Sequence, residues 1–353
     1  MRQNKLLSIV VPAYNMQDYL ARCVDSVLSA GVESVEVIIV NDGSTDNTSA
    51  IAHSLERDNP GFVRVADKEN GHYGSAVNVG LAAANGTYIK TLDADDTFDG
   101  SGLAALMSQI SEDEAAGLGI DLYLTDFDAV DCVGRTRYST IWSLPQEKLF
   151  GLEEVIAKKM EVVMQSCTWR TGLLKEIGYK QSEGIAYSDT EWILYPMLAA
   201  KQIRYVPRCV YRYLIGREGQ SVSLEGRRRN FDSLAVLLLR ILGTVRDRVG
   251  ELGLPQKEYL FRVTTDVSRW FLEVMFFLKP MRQAKCDVMR LTADMEEAHP
   301  GLYARLEDEA VVMKRSLNIH YLKVWRILPL GKTFWIALMR MYITLTRWNK
   351  VVH

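Results

Sequence analysis

The apolar residues of the first hundred positions fall into short runs. Leu6 to Val11, Val35 to Val40, Phe62 to Ala66 and Thr87 to Leu92 are largely apolar stretches of strand length. Between them the period changes. Leu20, Cys23, Val24, Val27 and Leu28 recur at helical spacing, which predicts a helix over 18–29. A second helix is predicted over 47–57, with Thr45 or Asp46 as its cap, and a third, rich in small residues, from Ser75 to Ala84. Asn85-Gly86 ends it. Strands that alternate with helices predict an α/β fold, a mixed and mainly parallel sheet with helices on both faces. Ligands of such sheets sit at the carboxyl ends of the strands. Pro12 to Asn15, Asn41 to Asp46 and Asp93 to Asp96 all lie at such ends, so three polar clusters should meet on one rim.

Further on, the pattern predicts a helix over 102–110, a strand over 122–127, and irregular or edge structure over 130–145. Helices follow over 152–160, over 169–177 up to Gly178, and over about 190–200, with Asp189 as its candidate N-cap. Ile203 to Tyr213 reads as a strand pair or edge strand. From Arg227 the chain turns to long helical periods, over 231–249, 257–278 and 286–309, the last broken at Pro300. These changes predict a catalytic domain over 1–225 and a helical C-terminal region over 226–353.

The chain of 353 residues with 48% hydrophobic content can bury a sizeable core. Its net charge of −2 gives no sign of nucleic acid as a partner. Five widely spaced cysteines without a Cys-x-x-Cys support neither a zinc site nor a disulfide framework. The first residues lack the apolar core of a signal peptide, so a cytoplasmic setting is expected. Beyond Glu309 there is no acidic residue, while Lys314, Arg315, Lys323, Arg326, Lys332, Arg340, Arg347 and Lys350 are basic. Phe334, Leu338, Met341, Leu345 and Trp348 share one helical face. This composition suits a helix of about 320–350 lying on an anionic membrane surface, peripheral on the inner face of the cell membrane. Charges recur too often in it for a spanning segment. Its rival reading is a helix packed on its own domain.

Asp93, Asp95 and Asp96 crowd three carboxylates into four positions. Such charge is kept together where something offsets it, and oxygen ligands suit Mg²⁺ or Mn²⁺. The competing reading is a solvated acidic turn. Asp42 at a strand end could accept from the edge of a base, or could be a plain turn aspartate before glycine.

Taken in order, Ile9-Val10-Val11-Pro12-Ala13-Tyr14-Asn15, Val40-Asn41-Asp42-Gly43-Ser44-Thr45-Asp46 and Leu92-Asp93-Ala94-Asp95-Asp96 resemble the family-2 nucleotide-sugar glycosyltransferases. The resemblance covers about residues 6–215. It implies a GT-A-type, Rossmann-like domain, one metal ion (Mn²⁺ or Mg²⁺) and inverting, non-processive transfer from a nucleoside diphosphate sugar. It implies that Asp42 contacts the base and that Pro12, Ala13, Tyr14 and Asn15 line the nucleotide pocket. Asp93 would lie near the ribose, Ala94 would belong to the substrate-binding residues, and Asp95 would be the metal ligand. Asp96 would be a neighbouring partner or a helix cap. Asn78 matches the asparagine of a segment in which relatives carry a basic residue where this chain has Val77; His72 or Lys90 could supply that charge.

Inverting transfer needs a base on the far side of the sugar carbon. Ser188-Asp189-Thr190-Glu191-Trp192 resembles the family's acidic pair before a helix, which makes Asp189 the candidate base and Glu191 the fallback. Trp192 is either a sugar platform or core. The pocket that selects the sugar is expected around Trp169 to Asp189. Arg212 and Arg217 are candidates for the diphosphate, the latter in a polar loop, 217–221, suited to a lid. The expected reaction moves a hexose or N-acetylhexosamine from a UDP-sugar to a glycan or lipid-linked acceptor, in bacterial surface polysaccharide synthesis. The rivals are a degenerate glycan-binding or membrane scaffold and a nucleotidyltransferase. The first lacks an account of the intact aspartates, and the second lacks its Gly-rich phosphate loop.

Overall fold

A computed structural model describes residues 5–142, 144–146, 148–217, 220, 224–309, 311–312 and 319–327, together with positions 334, 337 and 341. The chain divides into two compact units, Met1–Gln220 and Ser221–His353.

The first unit begins with the predicted alternation. It runs β1 (Leu7–Ala13), α1 (Leu20–Leu28), β2 (Val35–Asp42), α2 (Thr48–Asp58), β3 (Val63–Lys68), α3 (His72–Ala83) and β4 (Tyr88–Thr91). Then come β5 (Thr97–Phe98), α4 (Gly100–Ala115), β6 (Leu122–Val130), β7 (Thr136–Thr140), α5 (Leu152–Ala157), β8 (Cys167–Arg170), α6 (Thr171–Glu176), α7 (Asp189–Ala199) and β9 (Ile203–Leu214). Among the described residues these strands form one sheet in the order β3-β2-β1-β4-β8-β6-β9-β5, with β7 on β6. Pairing is parallel across β3-β2-β1-β4 and between β6 and β9. It is antiparallel where β8 joins β4 to β6.

One face of the sheet carries Leu7, Ile9 and Val11 of β1 against Cys23, Val24 and Val27 of α1 and Leu103, Leu106 and Ile110 of α4, all wholly buried. Such burial is the main stabilising term. On the other face α3 approaches so closely that a Cβ on Gly80 would lie 2.2 Å from Val10 Cγ1. That approach explains the small residues of α3.

Three expectations need correction. The helix expected over 169–177 is a strand, β8, followed by α6; Trp169 pairs with Ile89 and Leu122 in the sheet. Its short, mixed sequence has no period long enough to separate the two elements. α3 opens at His72 rather than Ser75 and ends at Ala83. Ile203–Leu214 is one strand between β6 and β5, not a pair.

The second unit holds α8 (Leu224–Arg229), α9 (Phe231–Arg248), α10 (Leu254–Leu278), α11 (Met281–Ala298), α12 (Leu302–Glu309), the two-residue strands β10 (Val311–Val312) and β11 (Ile319–His320), and α13 (Tyr321–Ile327). Phe231 stacks on Phe271 at 5.0 Å, tying α9 to α10. Arg305 of α12 donates to both oxygens of Glu258 at 2.9 and 2.8 Å. The front of the proposed membrane helix is part of this unit. Trp325 is buried edge-on against Phe276 at 4.6 Å, and Lys323 and Arg326 pair with Asp308 and Glu307. An aromatic and two cations expected at a lipid surface thus find partners in the chain itself. The rest of that segment, except positions 334, 337 and 341, lies outside the described residues. No described helix is long and apolar enough to cross a membrane.

Candidate active site

The site is built on the carboxyl ends of β1, β2, β3 and β4. Two loops there are laced together. Asn15, in the left-handed region at φ 54°, accepts from Thr45 N at 2.8 Å, and its own N–H donates to Ser44 Oγ at 3.1 Å. Asp46 accepts from Thr48 N at 2.9 Å, but the N-cap of α2 is Asn47, not the expected Thr45 or Asp46. Asn15 therefore fixes the rim. Pro12 is half-buried and Ala13 buried on β1, while Tyr14 stands 46% exposed beside them.

Asp42 and Lys68 end neighbouring strands in register. Lys68 Nζ donates to Asp42 Oδ1 at 2.6 Å, and Gly71 N donates to the same oxygen at 2.9 Å.

On the other side of β1, Asp96 is withdrawn from solvent, Asp95 nearly so, and Asp93 is half-buried. Asp93 is pushed up to about 7, by burial first and then by the charges of Asp95 and Asp189. Its Oδ1 is buried without a partner among the described residues. Asp96 is raised well above the usual carboxylate range by burial and by the other two aspartates. It accepts from Tyr211 Oη at 2.7 Å and Leu214 N at 2.7 Å, which anchors the acidic turn to β9. The cap of the next helix is Asp99, not Asp96. Ala94 is buried. Asp95 Oδ2 accepts from Arg217 Nε at 2.8 Å, and its carbonyl accepts from Arg22 at 2.9 Å.

Asp189 is the first residue of α7, after Ser188 as N-cap. It is half-buried, and burial raises its carboxyl. Its influence on Asp93 and on the Tyr73 phenol brings it to the same place as Asp93 and Asp95. Tyr73 of α3, which the sequence did not single out, donates to Met164 Sδ at 3.4 Å. Asn78 accepts from Gln181 N at 2.9 Å and donates to Gln181 O and Glu183 Oε1. It positions the loop that leads to Asp189.

Other expectations fare differently. Glu191 is wholly buried and accepts from Ser182 N at 2.6 Å and Ser182 Oγ at 2.8 Å, so the fallback base is a structural anchor. Trp192 is core, edge-on to Tyr179 at 5.6 Å, and Trp169 is fully buried rather than lining a pocket. Lys90 cannot replace the basic residue absent at Val77. It is fully buried, its ammonium donates to the carbonyls of Gln165 and Cys167, and burial pulls it down to about 7. Arg212 lines a cavity of about 470 Å³ with Arg22, Asp25, Asp95 and Asp131. Residues 218–219 and 221 of the expected lid lie outside the described residues.

No cluster of three potential metal ligands is present among the described residues. Two observations still fit a divalent cation. A guanidinium sits on Asp95, and a buried oxygen of Asp93 is left without a partner. Two carboxylates with an open side suit an ion that completes its shell with ligand oxygens and water.

Residues 8–175 match the family model of glycosyl transferase family 2. It is 28% identical over 284 residues to the uncharacterized glycosyltransferase YibD of Escherichia coli, covering 76% of this chain and 79% of that one. It is 42% identical to the chondroitin synthase of Pasteurella multocida over 109 residues, 31% of this chain but only 11% of the synthase. Among solved structures it resembles S. aureus TarS 1-349 in complex with UDP, at TM-score 0.59 and 19% identity over 87% of this chain and 84% of that one. A mannosyltransferase of Pyrobaculum calidifontis, solved with GDP-Man and Mn²⁺, gives TM-score 0.51 at 14% identity over 87% and 84%. The fold is the GT-A type.

Proposed function

We propose that the protein is an inverting glycosyltransferase that moves a hexose or N-acetylhexosamine from a UDP-sugar to a hydroxyl of a glycan or lipid-linked acceptor. The observation that carries this reading is the meeting of Asp189 with the distant Asp93 and Asp95, at the sheet rim on which Asp42 ends the strand beyond β1. The nucleotides held by TarS and by the mannosyltransferase support a nucleotide-sugar donor.

In this reading Asp42 and the Pro12–Asn15 turn hold the nucleoside, and Asp93 the ribose. Mn²⁺ or Mg²⁺ on Asp95 would neutralise charge on the departing diphosphate. Asp189 takes the proton of the acceptor hydroxyl as its oxygen attacks the anomeric carbon and the bond to the diphosphate breaks. Burial around Asp189 keeps its basicity above that of a free carboxylate. The synthase relatives favour polysaccharide as the product class. We place the protein on the inner face of a membrane, held by its basic C-terminal segment.

A panel of UDP-sugars with Mn²⁺ and simple glycan acceptors tests the activity. Turnover of one donor, lost in Asp95→Ala, is expected. No turnover of any nucleotide sugar, or full activity in Asp95→Ala, would sink the reading. Deleting residues 328–353 should release the protein from anionic vesicles, and retained binding would refute the tail's role.

A further inference from the structure

The Asp42–Lys68 pair is held with unusual firmness. Asp42 Oδ1 accepts twice, from Lys68 Nζ and Gly71 N. The ammonium also donates to the carbonyl of Glu69. Gly71 closes over it, since a Cβ there would lie 2.9 Å from Nζ and 2.6 Å from Ser75 Oγ. Gly43, at φ +70°, backs onto Asn70 so tightly that its Cβ would lie 2.7 Å from that backbone nitrogen. Two groups are left over. Asp42 Oδ2 accepts nothing from the described residues, and one N–H of the ammonium has no partner among them. The lysine side chain keeps 18% of its surface open and the aspartate 4%.

We infer that Lys68 is a specificity-determining residue that, with Asp42, reads the imide edge of a uracil. Asp42 Oδ2 accepts the ring N–H and the ammonium donates to a carbonyl beside it. The inference rests on the nucleotide-donor reading above. One free acceptor beside one free donor decides the base. In an imide the N–H has a carbonyl on either side, so it meets the pair in both orders. Cytosine and adenine offer an amino group beside a ring nitrogen, which fits in one order only. Guanine has a carbonyl on one side of its ring N–H and an amino group on the other, so it too fits in one order only.

The test is titration calorimetry of the full chain, with Mn²⁺, against UDP, CDP, GDP, 2-thio-UDP and 4-thio-UDP. Wild type should bind UDP about tenfold more tightly than CDP or GDP. One of the two thio analogues, which have a poor acceptor in place of a carbonyl, should bind more weakly than UDP. Lys68→Met should bring UDP to the level of CDP and leave CDP within about twofold. A common fall of UDP and CDP in Lys68→Met would make Lys68 a phosphate contact and overturn the inference. A wild-type preference for CDP or GDP would do the same, as would equal binding of UDP and both thio analogues, a result that needs no variant. Wild type that binds none of these nucleotides would remove the donor reading itself.

Discussion

Arg217 Nε lies 2.8 Å from Asp95 Oδ2, and its guanidinium carbon stands 5.5 Å from the Tyr19 ring centre. The cation thus meets the carboxylate that the family resemblance makes a metal ligand. A guanidinium and a divalent ion cannot share one oxygen at full strength, because each needs its lone pairs. Arg217→Gln should therefore bind Mn²⁺ about two- to fivefold more tightly in the absence of nucleotide, the worth of a partly exposed ion pair. Paramagnetic resonance of free Mn²⁺ measures this; equal or weaker binding in the variant would show that the two do not compete.

Asp189 and Glu191 lie two positions apart but should behave in opposite ways. Asp189→Asn should lower kcat about 10²–10⁴-fold while leaving UDP affinity within about twofold. Only the ionised carboxylate can accept a proton, so the wild-type rate should fall as pH drops through the raised pKa of Asp189, above the ordinary carboxylate range. Glu191→Ala should instead lower the melting temperature, because it strands Ser182 N–H and Oγ in the interior. A stable Glu191 variant with a displaced acidic limb would reverse the assignment.

Gly74 packs α3 against the loop before Asp189. A Cβ on it would lie 2.0 Å from the Ser182 carbonyl oxygen. Gly74→Ala should cost about 1–3 kcal/mol, typical of overpacking, and reduce activity through that loop. Urea unfolding with parallel assays checks this, and a variant of wild-type stability would argue against the close approach.

His53 shares hydrogen bonds with Asp67 Oδ2 at 2.7 Å and Glu56 Oε2 at 3.2 Å, and those to Asp67 first and Glu56 second raise its pKa. A raised folded pKa means stability that is fully present below the unfolded value of about 6.5 and lost as pH rises through the folded one. The side chains are about two-fifths exposed, so solvent screens the pair to about 0.5 kcal/mol. His53→Gln should lower stability at about pH 5.5 and leave it unchanged at about pH 9. A constant difference across that range would show that packing, not charge, is at stake.

The sequence by itself determined the opening alternation of strands and helices, because apolar runs and helical periods are local and strong there. It also placed Asn15, Asp42, Asp93 and Asp95 at strand ends, since turn residues and acidic clusters follow each apolar run. The tertiary structure decided the rest. That Trp169 lies in a strand depends on its partners Ile89 and Leu122, which no local period reports. Lys90 and Glu191 looked as available as any charged residue, yet one is spent on carbonyls and the other on Ser182, because burial forces each to find partners inside. Arg217 on Asp95 and Lys68 on Asp42 pair residues 122 and 26 positions apart. Such contacts leave no mark in spacing, since only the folded sheet brings the ends of its strands to one rim.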